Sequence, residues 1–310
     1  MARTPVALCL LLSAWVAAAP VRAADTVTIL LSEPGGAYGE VADALRRELP
    51  PGVTAHEVQE APLADPAAKP RLTIAVGAGA CGTAARAAIA SGVAAAPVLC
   101  TLIPRAAFER IAGDPASRSR TLTALFLDQP PARQVALVRL ALPKAQAVAM
   151  LFGPESAPAE SALAAAAARQ GLRPEIAKAS GPDDLYPALQ RLLEGGSDAL
   201  LAVPDPRIFN AGTVQNILRA SIRARVPLVA FSPAYVRAGA LAAVHTTPQQ
   251  TGRLAGAMAR DFLAGRALPA PLYPSDYTVT VNPQVARSLG LEVPDGEALA
   301  GRLRQLEKSP

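Results

Sequence analysis

Residues 198–244 constrain the fold of this chain more than any other segment, because they contain two apolar runs that each end in a loop of small, polar and proline residues. Residues 199–203 predict a strand that stops at a Pro-Asp-Pro loop, since proline cannot donate to the ladder of a sheet. Apolar residues at spacings of three and four predict a helix over 213–225, and residues 226–231 predict a second strand. Strand, helix and strand in this order indicate a βαβ unit with parallel strands.

The loops after these two strands are candidate ligand contacts. Sheets of parallel strands bind their ligands outside the carboxyl ends of the strands. Asp205 and Phe209 follow the first strand, and Ser232 and Tyr235 follow the second. The alternative is that they are ordinary loop residues, and topology alone does not decide between the two interpretations.

The same alternation of strand and helix extends along most of the chain. Apolar runs predict strands at residues 27–31, 72–76, 97–102, 122–127, 148–152, 199–203 and 226–231. Stretches with helical periodicity lie between them. Two successive halves of βαβαβ type predict an α/β protein with two similar Rossmann-like lobes, each built on a mostly parallel sheet, with a cleft between the lobes.

The first residues have the pattern of a secretory signal peptide. Arg3 precedes an apolar stretch at 6–19, and small residues before position 24 predict cleavage after Ala23. The apolar stretch is shorter than the roughly 20 residues of a membrane-spanning helix, so we expect the mature chain to carry no membrane anchor. A lipoprotein is the competing interpretation, but Cys9 lies inside the apolar stretch and not at the cleavage point.

The net charge limits the classes of binding partner, and the cysteine content limits the possible disulfides. Loss of Arg3 and Arg22 with the signal would lower the net charge from +5 to +3, and the remaining basic residues are scattered, so nucleic-acid binding has little support. Cys81 and Cys100 would then be the remaining cysteines, in a compartment that permits disulfides. A disulfide and two buried thiols both stay open, because a bridge requires Cα atoms within about 7 Å.

Motifs for catalysis and cofactor binding are poorly supported. Gly77, Gly79 and Gly82 form GxGxxG after a strand, but residues 83–107 contain no acidic residue to bind a ribose, so we interpret the motif as a turn that brings backbone N–H groups close to a ligand. The chain has two histidines and no HExxH, CxxC or GxSxG pattern, so we predict no metal, no cofactor and no catalytic residue. Asp128 and Asp205 as the carboxylate pair of an exported glycoside hydrolase are a weak alternative.

Four segments together resemble a known family. LLAVPDPRIFN, AFSPAYVRAGALAAV, TGRLAGAMARDFLAGRALP and YTVTVNPQVARSLGLEVP are similar to the substrate-binding proteins of ABC transporters that are related to tryptophan- and tyrosine-binding proteins, with a type I periplasmic-binding fold. The resemblance implies a monomeric periplasmic protein that captures a small molecule between its lobes and delivers it to an ABC permease and ATPase. A sensory or accessory binding protein of the same fold is the alternative.

The resemblance also implies lobe boundaries and a ligand site. One lobe would comprise residues 24–123 plus 246–272 and the other 124–245 plus 273–310, with residues 1–23 removed as the signal peptide. Backbone N–H groups at helix starts favour a carboxylate, and Tyr38, Phe209 and Tyr235 offer flat faces, so an amino-acid-like or aromatic ligand fits. The implied contacts are Ser32, Glu33, Gly35, Gly79, Cys81, Thr83 and Thr101 in the first lobe, Asp128 and Gln129 near a crossing, and Gly153, Glu155, Ser156, Asp205, Phe209, Ser232 and Tyr235 in the second lobe.

The chain departs from the family pattern at one place in the first lobe. The family has Asp-Pro after the strand that ends this part of the lobe, whereas the present chain has Thr101-Leu102-Ile103-Pro104. The identity of the ligand therefore does not follow from the resemblance.

Overall fold

The computed structural model describes residues 25–58, 70–90, 96–114 and 122–308. The predicted signal peptide, including Cys9 and the cleavage point after Ala23, lies outside the described residues. The described chain forms two α/β lobes, each a sheet with helices on both faces.

The first lobe contains five parallel strands in the order β2-β1-β3-β4-β5. The strands are β1 Thr26–Leu31, β2 Thr54–Val58, β3 Leu72–Val76, β4 Val98–Ile103 and β5 Leu122–Phe126. Helices α1 Gly36–Glu48 and α9 Pro248–Leu263 cover one face, and α2 Ala78–Ala90 and α3 Arg105–Gly113 cover the other. Both faces of β3 are therefore buried, which explains its uniformly apolar or small residues.

The second lobe contains six strands in the order β11-β10-β9-β8-β6-β7. They are β6 Ala147–Phe152, β7 Arg173–Lys178, β8 Ala199–Leu201, β9 Leu228–Ala230, β10 Ala242–His245 and β11 Thr278–Val281. All neighbours are parallel except β11, which runs antiparallel to β10.

Seven helices of the described chain cover the two faces of the second sheet. One face carries α4 Pro131–Ala141, α5 Glu160–Arg169, α10 Pro283–Leu289 and α11 Gly296–Lys308, and the other carries α6 Pro182–Glu194, α7 Val214–Arg223 and α8 Pro233–Ala238. The helix α11 is the last element of the described residues and packs against α4 and β11.

The prediction of two parallel-sheet lobes is confirmed. Each of the seven predicted strands is present, with ends within two residues of the prediction. The predicted lobe boundary at 123/124 falls inside β5, whose residues to Phe126 belong to the first sheet. The strands β2, β7, β10 and β11 are not among the seven predicted ones.

Candidate functional site

The carboxyl ends of both sheets border the same gap. The chain leaves β5 at its carboxyl end and enters α4 of the second lobe, and it leaves β10 at its carboxyl end and enters α9 of the first lobe. On the third crossing Leu272 pairs in parallel with Leu125, after which the chain enters β11 beside the carboxyl end of β10. The loops that follow the strands of both lobes are therefore the walls of an interlobe cleft, where α/β proteins place their ligands.

A pocket of about 130 Å³ lies in this cleft beside the crossings. Both lobes and two of the crossings contribute to its wall. Its polar and charged lining residues include Arg105, Glu109, Asp128, Gln129, Glu155, Ser156 and Tyr273. Four of them, Asp128, Gln129, Glu155 and Ser156, are predicted contact residues that the fold brings together.

Three carboxylates and one guanidinium line the pocket, and the guanidinium is already engaged. Arg105 donates from Nε to Glu109 at 2.6 Å and from a terminal nitrogen to the hydroxyl of Tyr273 at 2.8 Å. These hydrogen bonds raise the pKa of Arg105 above its ordinary value. Burial raises the pKa of Asp128, although the N–H of Arg105 donates to this carboxylate and opposes the shift. The charged side chains that remain available to a ligand in this pocket are therefore carboxylates, which accept hydrogen bonds.

Glu155 contacts the opposite lobe. One terminal nitrogen of Arg110, on α3, lies 3.2 Å from a carboxylate oxygen of Glu155, on the loop after β6. The side chain of Arg110 is 64% exposed and that of Glu155 is 31% exposed. An ion pair this exposed contributes little to stability, so a ligand group is able to replace Arg110 at Glu155.

Asp205 holds the loop that carries Glu155. Its Oδ2 accepts hydrogen bonds from the N–H groups of Glu155 and Ser156 at 3.0 and 2.8 Å and from the hydroxyl of Ser156 at 2.9 Å, while Oδ1 accepts from the N–H of Arg207. Asp205 is 2% exposed. A Cβ at Gly153 would lie 2.5 Å from Oδ2 of Asp205, so glycine is required for this approach. The structure therefore places Asp205 and Gly153 behind the wall of the cleft, where they position Glu155.

Three aromatic rings form a cluster at the carboxyl ends of β8 and β9. Phe209 contacts Phe231 and Tyr235 in edge-to-face geometry at 6.2 and 6.3 Å between centroids, and Phe231 and Tyr235 lie 4.9 Å apart. Phe209 is buried, whereas Phe231 and Tyr235 are half-buried. Burial raises the pKa of Tyr235 to about 12. Phe209 thus supports two rings that remain accessible, and Ser232 between them caps α8 through the N–H of Ala234.

The first-lobe wall is built around Ser32 and Gly77. The hydroxyl of Ser32 accepts a hydrogen bond of 2.9 Å from the N–H of Ala80, in the first turn of α2. A Cβ at Gly77 would lie 2.4 Å from this hydroxyl and 2.6 Å from the ring of Tyr38, and Gly77 has a φ of +98°. The glycine-rich motif therefore serves close packing between the ends of β1 and β3. Glu33 and Gly35 are exposed in the preceding loop.

The disulfide that the sequence left open is present. Cys81, on α2, bonds to Cys100, on β4, with 5.4 Å between the Cα atoms. Both cysteines are fully buried. The sulfur of Cys81 is therefore used inside the lobe. Thr83 lies in the same helix and Gly79 lies near its start.

The end of β4 is irregular. Leu102 has a φ of 52°, and the register of β4 against β5 shifts between Thr101 and Ile103. The left-handed region costs a residue with a Cβ about 1 kcal/mol. The hydroxyl of Thr101 is buried and has no hydrogen-bond partner among the described residues. A buried unpaired hydroxyl beside a strained residue marks this strand end as a candidate part of the site.

His245 is buried and contacts the neighbouring strand β11 of the second lobe. Its Nε2 lies 3.0 Å from the hydroxyl of Thr280 across the antiparallel pair of β10 and β11. Burial, and to a smaller extent the charge of Arg237, lower the pKa of His245. Among the described residues no group of three or more His, Cys, Asp or Glu side chains is arranged to hold a metal ion. No helix within the described ranges is both long and apolar enough to cross a membrane.

Several pocket and cluster residues were missed in the sequence. Arg105, Glu109 and Tyr273 line the pocket, and Phe231 belongs to the aromatic cluster. Phe231 was detectable, since it ends an apolar run immediately before a predicted contact. The contact of Arg105 with Tyr273 joins residues 168 positions apart, and no local pattern indicates it.

Two α/β lobes, three crossings and a cleft at the carboxyl edges define a two-lobed solute-binding protein with the type I periplasmic-binding fold. The profile of the family described as ABC transporter substrate binding protein matches residues 67–299. The chain belongs to this family. That membership gives no support to the glycoside hydrolase alternative. No protein of curated function matches the sequence.

Solved structures share the fold at low sequence identity. A protein from Streptococcus pneumonia, described as an ABC domain in complex with L-Trp, has 17% identity and a TM-score of 0.60, with 90% of this chain and 98% of that chain covered. A ligand-free, open substrate-binding protein with adhesive properties from Clostridium difficile has 18% identity and a TM-score of 0.66, with 87% and 96% covered. A solute-binding protein from R. palustris in complex with 4-hydroxybenzoate has 13% identity and a TM-score of 0.52, with 77% and 80% covered.

Proposed function

We propose that this chain is exported to the periplasm, captures a small amino-acid-like or aromatic solute between its lobes and delivers it to an ABC permease and ATPase as a monomer. The observation that carries the proposal is a pocket with walls from both lobes at the carboxyl edges of two parallel sheets. A ligand that touches both walls stabilises the arrangement in which the lobes are close together.

The chemistry of the cleft supports a ligand with a flat ring and an amino group. Phe231 and Tyr235 offer half-buried ring faces, and offset or edge contacts with a ligand ring are worth about 1 kcal/mol beyond the area buried. Asp128 and Glu155 supply acceptors for an ammonium group. The first turns of α1 and α2 contain no acidic residue, so their N–H groups suit a carboxylate. The remaining predicted contacts, Glu33, Gly35, Gly79, Thr83 and Thr101 among them, stay part of this proposal.

Thermal unfolding with a panel of aromatic amino acids, hydroxybenzoates and sugars tests the proposal. A true ligand at 100 times its dissociation constant should stabilise the protein by about 2.7 kcal/mol. If no compound of the panel stabilises the protein, the proposed ligand class is rejected. If aromatic solutes stabilise the Phe231→Ala and Tyr235→Ala variants as strongly as they stabilise the parent protein, the proposed ring contacts are rejected.

Tyr186 supplies a matched control for the aromatic variants. It is 37% exposed on α6, and its hydroxyl contacts Asn216 on α7. We expect Tyr186→Ala to leave the dissociation constant unchanged, whereas Tyr235→Ala raises it about tenfold, a loss of about 1.4 kcal/mol. If the ligand binds but does not stimulate ATP hydrolysis by the reconstituted transporter, the sensory or accessory function replaces delivery.

A further inference from the structure

Arg133 is a buried arginine next to the crossings between the lobes. It is 7% exposed, lies in the first turn of α4 and pairs with Glu307 of α11 through Nε. One terminal nitrogen donates to Oε1 of Gln129 at 2.7 Å and to the carbonyl of Pro274 at 2.9 Å. The guanidinium also lies 3.9 Å from the ring centre of Tyr277. A single side chain thus joins the first crossing, the third crossing and the last helix.

The second crossing is joined to the same network through Gln129. Nε2 of Gln129 donates to the hydroxyl of Thr246 at 2.9 Å, and this hydroxyl donates to the carbonyl of Asp276 at 3.0 Å. Gln134 donates to the carbonyl of Gln129 at 2.7 Å. All three crossings are therefore held together on the side of the second lobe.

A separate network holds the crossings on the side of the first lobe. Arg105 of α3 donates to the hydroxyl of Tyr273 from its side chain and to the carboxylate of Asp128 from its backbone N–H. Thr247 belongs to α9, since its hydroxyl accepts from the N–H of Gln250 and its own N–H donates to the side chain of Gln250. Asp128, Thr247 and Tyr273 are thus bound to the first lobe.

The two networks meet between neighbouring residues in each crossing. The division falls between Asp128 and Gln129, between Thr246 and Thr247, and between Tyr273 and Pro274. Within the part of the chain that the structure describes, the hydrogen bonds of the two networks are 2.5–3.2 Å long.

Contacts that cross the division are exposed or long. The pairs are Arg110 with Glu155 at 3.2 Å, Arg253 with Asp276 at 3.2 Å and the hydroxyl of Thr278 with Gln250 at 3.4 Å. Arg110 and Arg253 have side chains 64% and 52% exposed, so water replaces these ion pairs at little cost in free energy.

We propose that Arg133 is a positioning residue that confines the movement of the lobes to the three links 128–129, 246–247 and 273–274. With Arg133 in place, the crossings rotate as one unit with the second lobe, and the open and closed arrangements differ by a hinge at these links. Without it, each crossing bends independently, and the population that can close on a ligand falls. This inference extends the proposed function, since it concerns how the cleft closes and not what it binds.

Spin labels on the two lobes test the proposal without a ligand. Arg47→Cys on α1 and Arg219→Cys on α7 replace exposed residues, and both cysteines within the described ranges, Cys81 and Cys100, are in the disulfide. In this background we expect Arg133→Met to broaden the distribution of interlobe distances measured by pulsed electron resonance and to shift it to longer values. If a ligand is available, its apparent dissociation constant should rise in proportion to the lost fraction of closable protein.

Arg139 gives a matched control on the same helix. It donates to carbonyls of Gln170, Pro143 and Ala145 and contacts no crossing, so Arg139→Met should leave the distance distribution unchanged. If Arg133→Met does not fold, Arg133→Lys takes its place. The lysine keeps a positive charge beside Glu307 but loses the forked guanidinium that reaches Gln129 and Pro274, so we expect this variant to fold and to broaden the distance distribution. A distribution identical to that of the parent in a folded Arg133 variant overturns the proposal. Because the readout needs no ligand, it stands apart from failure of the proposed function.

Discussion

Gly153 and Asp205 are so close that the carboxylate of Asp205 occupies the space that a Cβ of Gly153 would take, 2.5 Å from its Oδ2. This contact joins the loops after β6 and β8, and it orients Glu155 toward the pocket through the two N–H groups that Oδ2 accepts. The second-lobe wall is therefore stiff before any ligand arrives.

Asp205→Asn should weaken both the fold and the binding of ligand. The amide has one acceptor oxygen for donors that now share two, and a buried unpaired N–H costs about 2 kcal/mol. We expect a loss of that size in the free energy of unfolding, measured with urea, and about tenfold weaker binding, measured by calorimetry. Asp198→Asn is the control, since Asp198 accepts hydrogen bonds from the N–H groups of Gln146 and Ala147 at the amino ends of β6 and β8, away from the cleft. Equal losses of affinity in both variants would contradict the positioning role of Asp205.

Removal of the disulfide should lower the melting temperature. Cys81 and Cys100 are separated by 19 positions, and a loop of this length corresponds to about 3 kcal/mol in the chain-entropy model. We expect the double variant Cys81→Ala, Cys100→Ala to melt roughly 6–12 °C below the parent in calorimetry. Reductant should lower the melting temperature of the parent toward this value and leave the variant unaffected. A variant as stable as the oxidised parent would show that the bridge contributes nothing to the fold.

Gly252 and Gly256 allow α9 to lie directly on α1. A Cβ at Gly252 would lie 2.5 Å from the carbonyl oxygen of Val41 and 2.5 Å from Cβ of Ala44. Gly252→Ala should therefore destabilise the protein by about 2 kcal/mol, because the helices must separate. Gly301→Ala on α11 meets no atom within 4 Å and should stabilise the protein by about 0.5 kcal/mol. Urea unfolding of both variants measures the difference, and a neutral Gly252→Ala would mean that the contact yields without cost.

Protonation of His245 should destabilise the fold as the pH falls. Burial lowers the pKa of His245 in the folded state below its value of 6.5 in the unfolded chain, so the unfolded state takes up the proton first. The contribution of His245 to stability is complete above pH 6.5 and declines as the pH falls through and below this value. We expect His245→Gln to reduce the loss of stability between pH 8 and pH 5, measured by urea unfolding. His56→Gln, on the exposed β2, should keep the parental dependence.

Sequence periodicity predicted the lobes because their central strands are apolar throughout, as in β6, where all six residues are buried. The edge strands β2 and β7 were missed, since only one face of each is covered and their sequences, TAHEV and RPEIAK, contain charged or polar side chains. When a short segment carries exposed charged or polar residues between half-buried ones, its sequence does not distinguish an edge strand from a loop.

The site was only partly predictable for a different reason. Topology identified the loops of Asp205 and Ser232, because a βαβ unit fixes which strand ends face the cleft. Whether a side chain points into the cleft depends on donors that lie far away in sequence, such as the N–H of Ser156 for Asp205, at a separation of 49 residues. The same holds for Arg133, whose partner Glu307 lies 174 positions later.

The packing of α9 against α1 has a consequence for the order in which the protein is assembled. The helix α1 begins at Gly36, whereas the helix that covers it begins at Pro248, after ten of the eleven strands of the described chain have been made. The lobe that a ribosome starts first is therefore finished only after the sheet of the other lobe is nearly complete. Such long separations slow folding. An export pathway that carries the chain unfolded would deliver both halves of the α1–α9 contact to the same compartment before either needs the other.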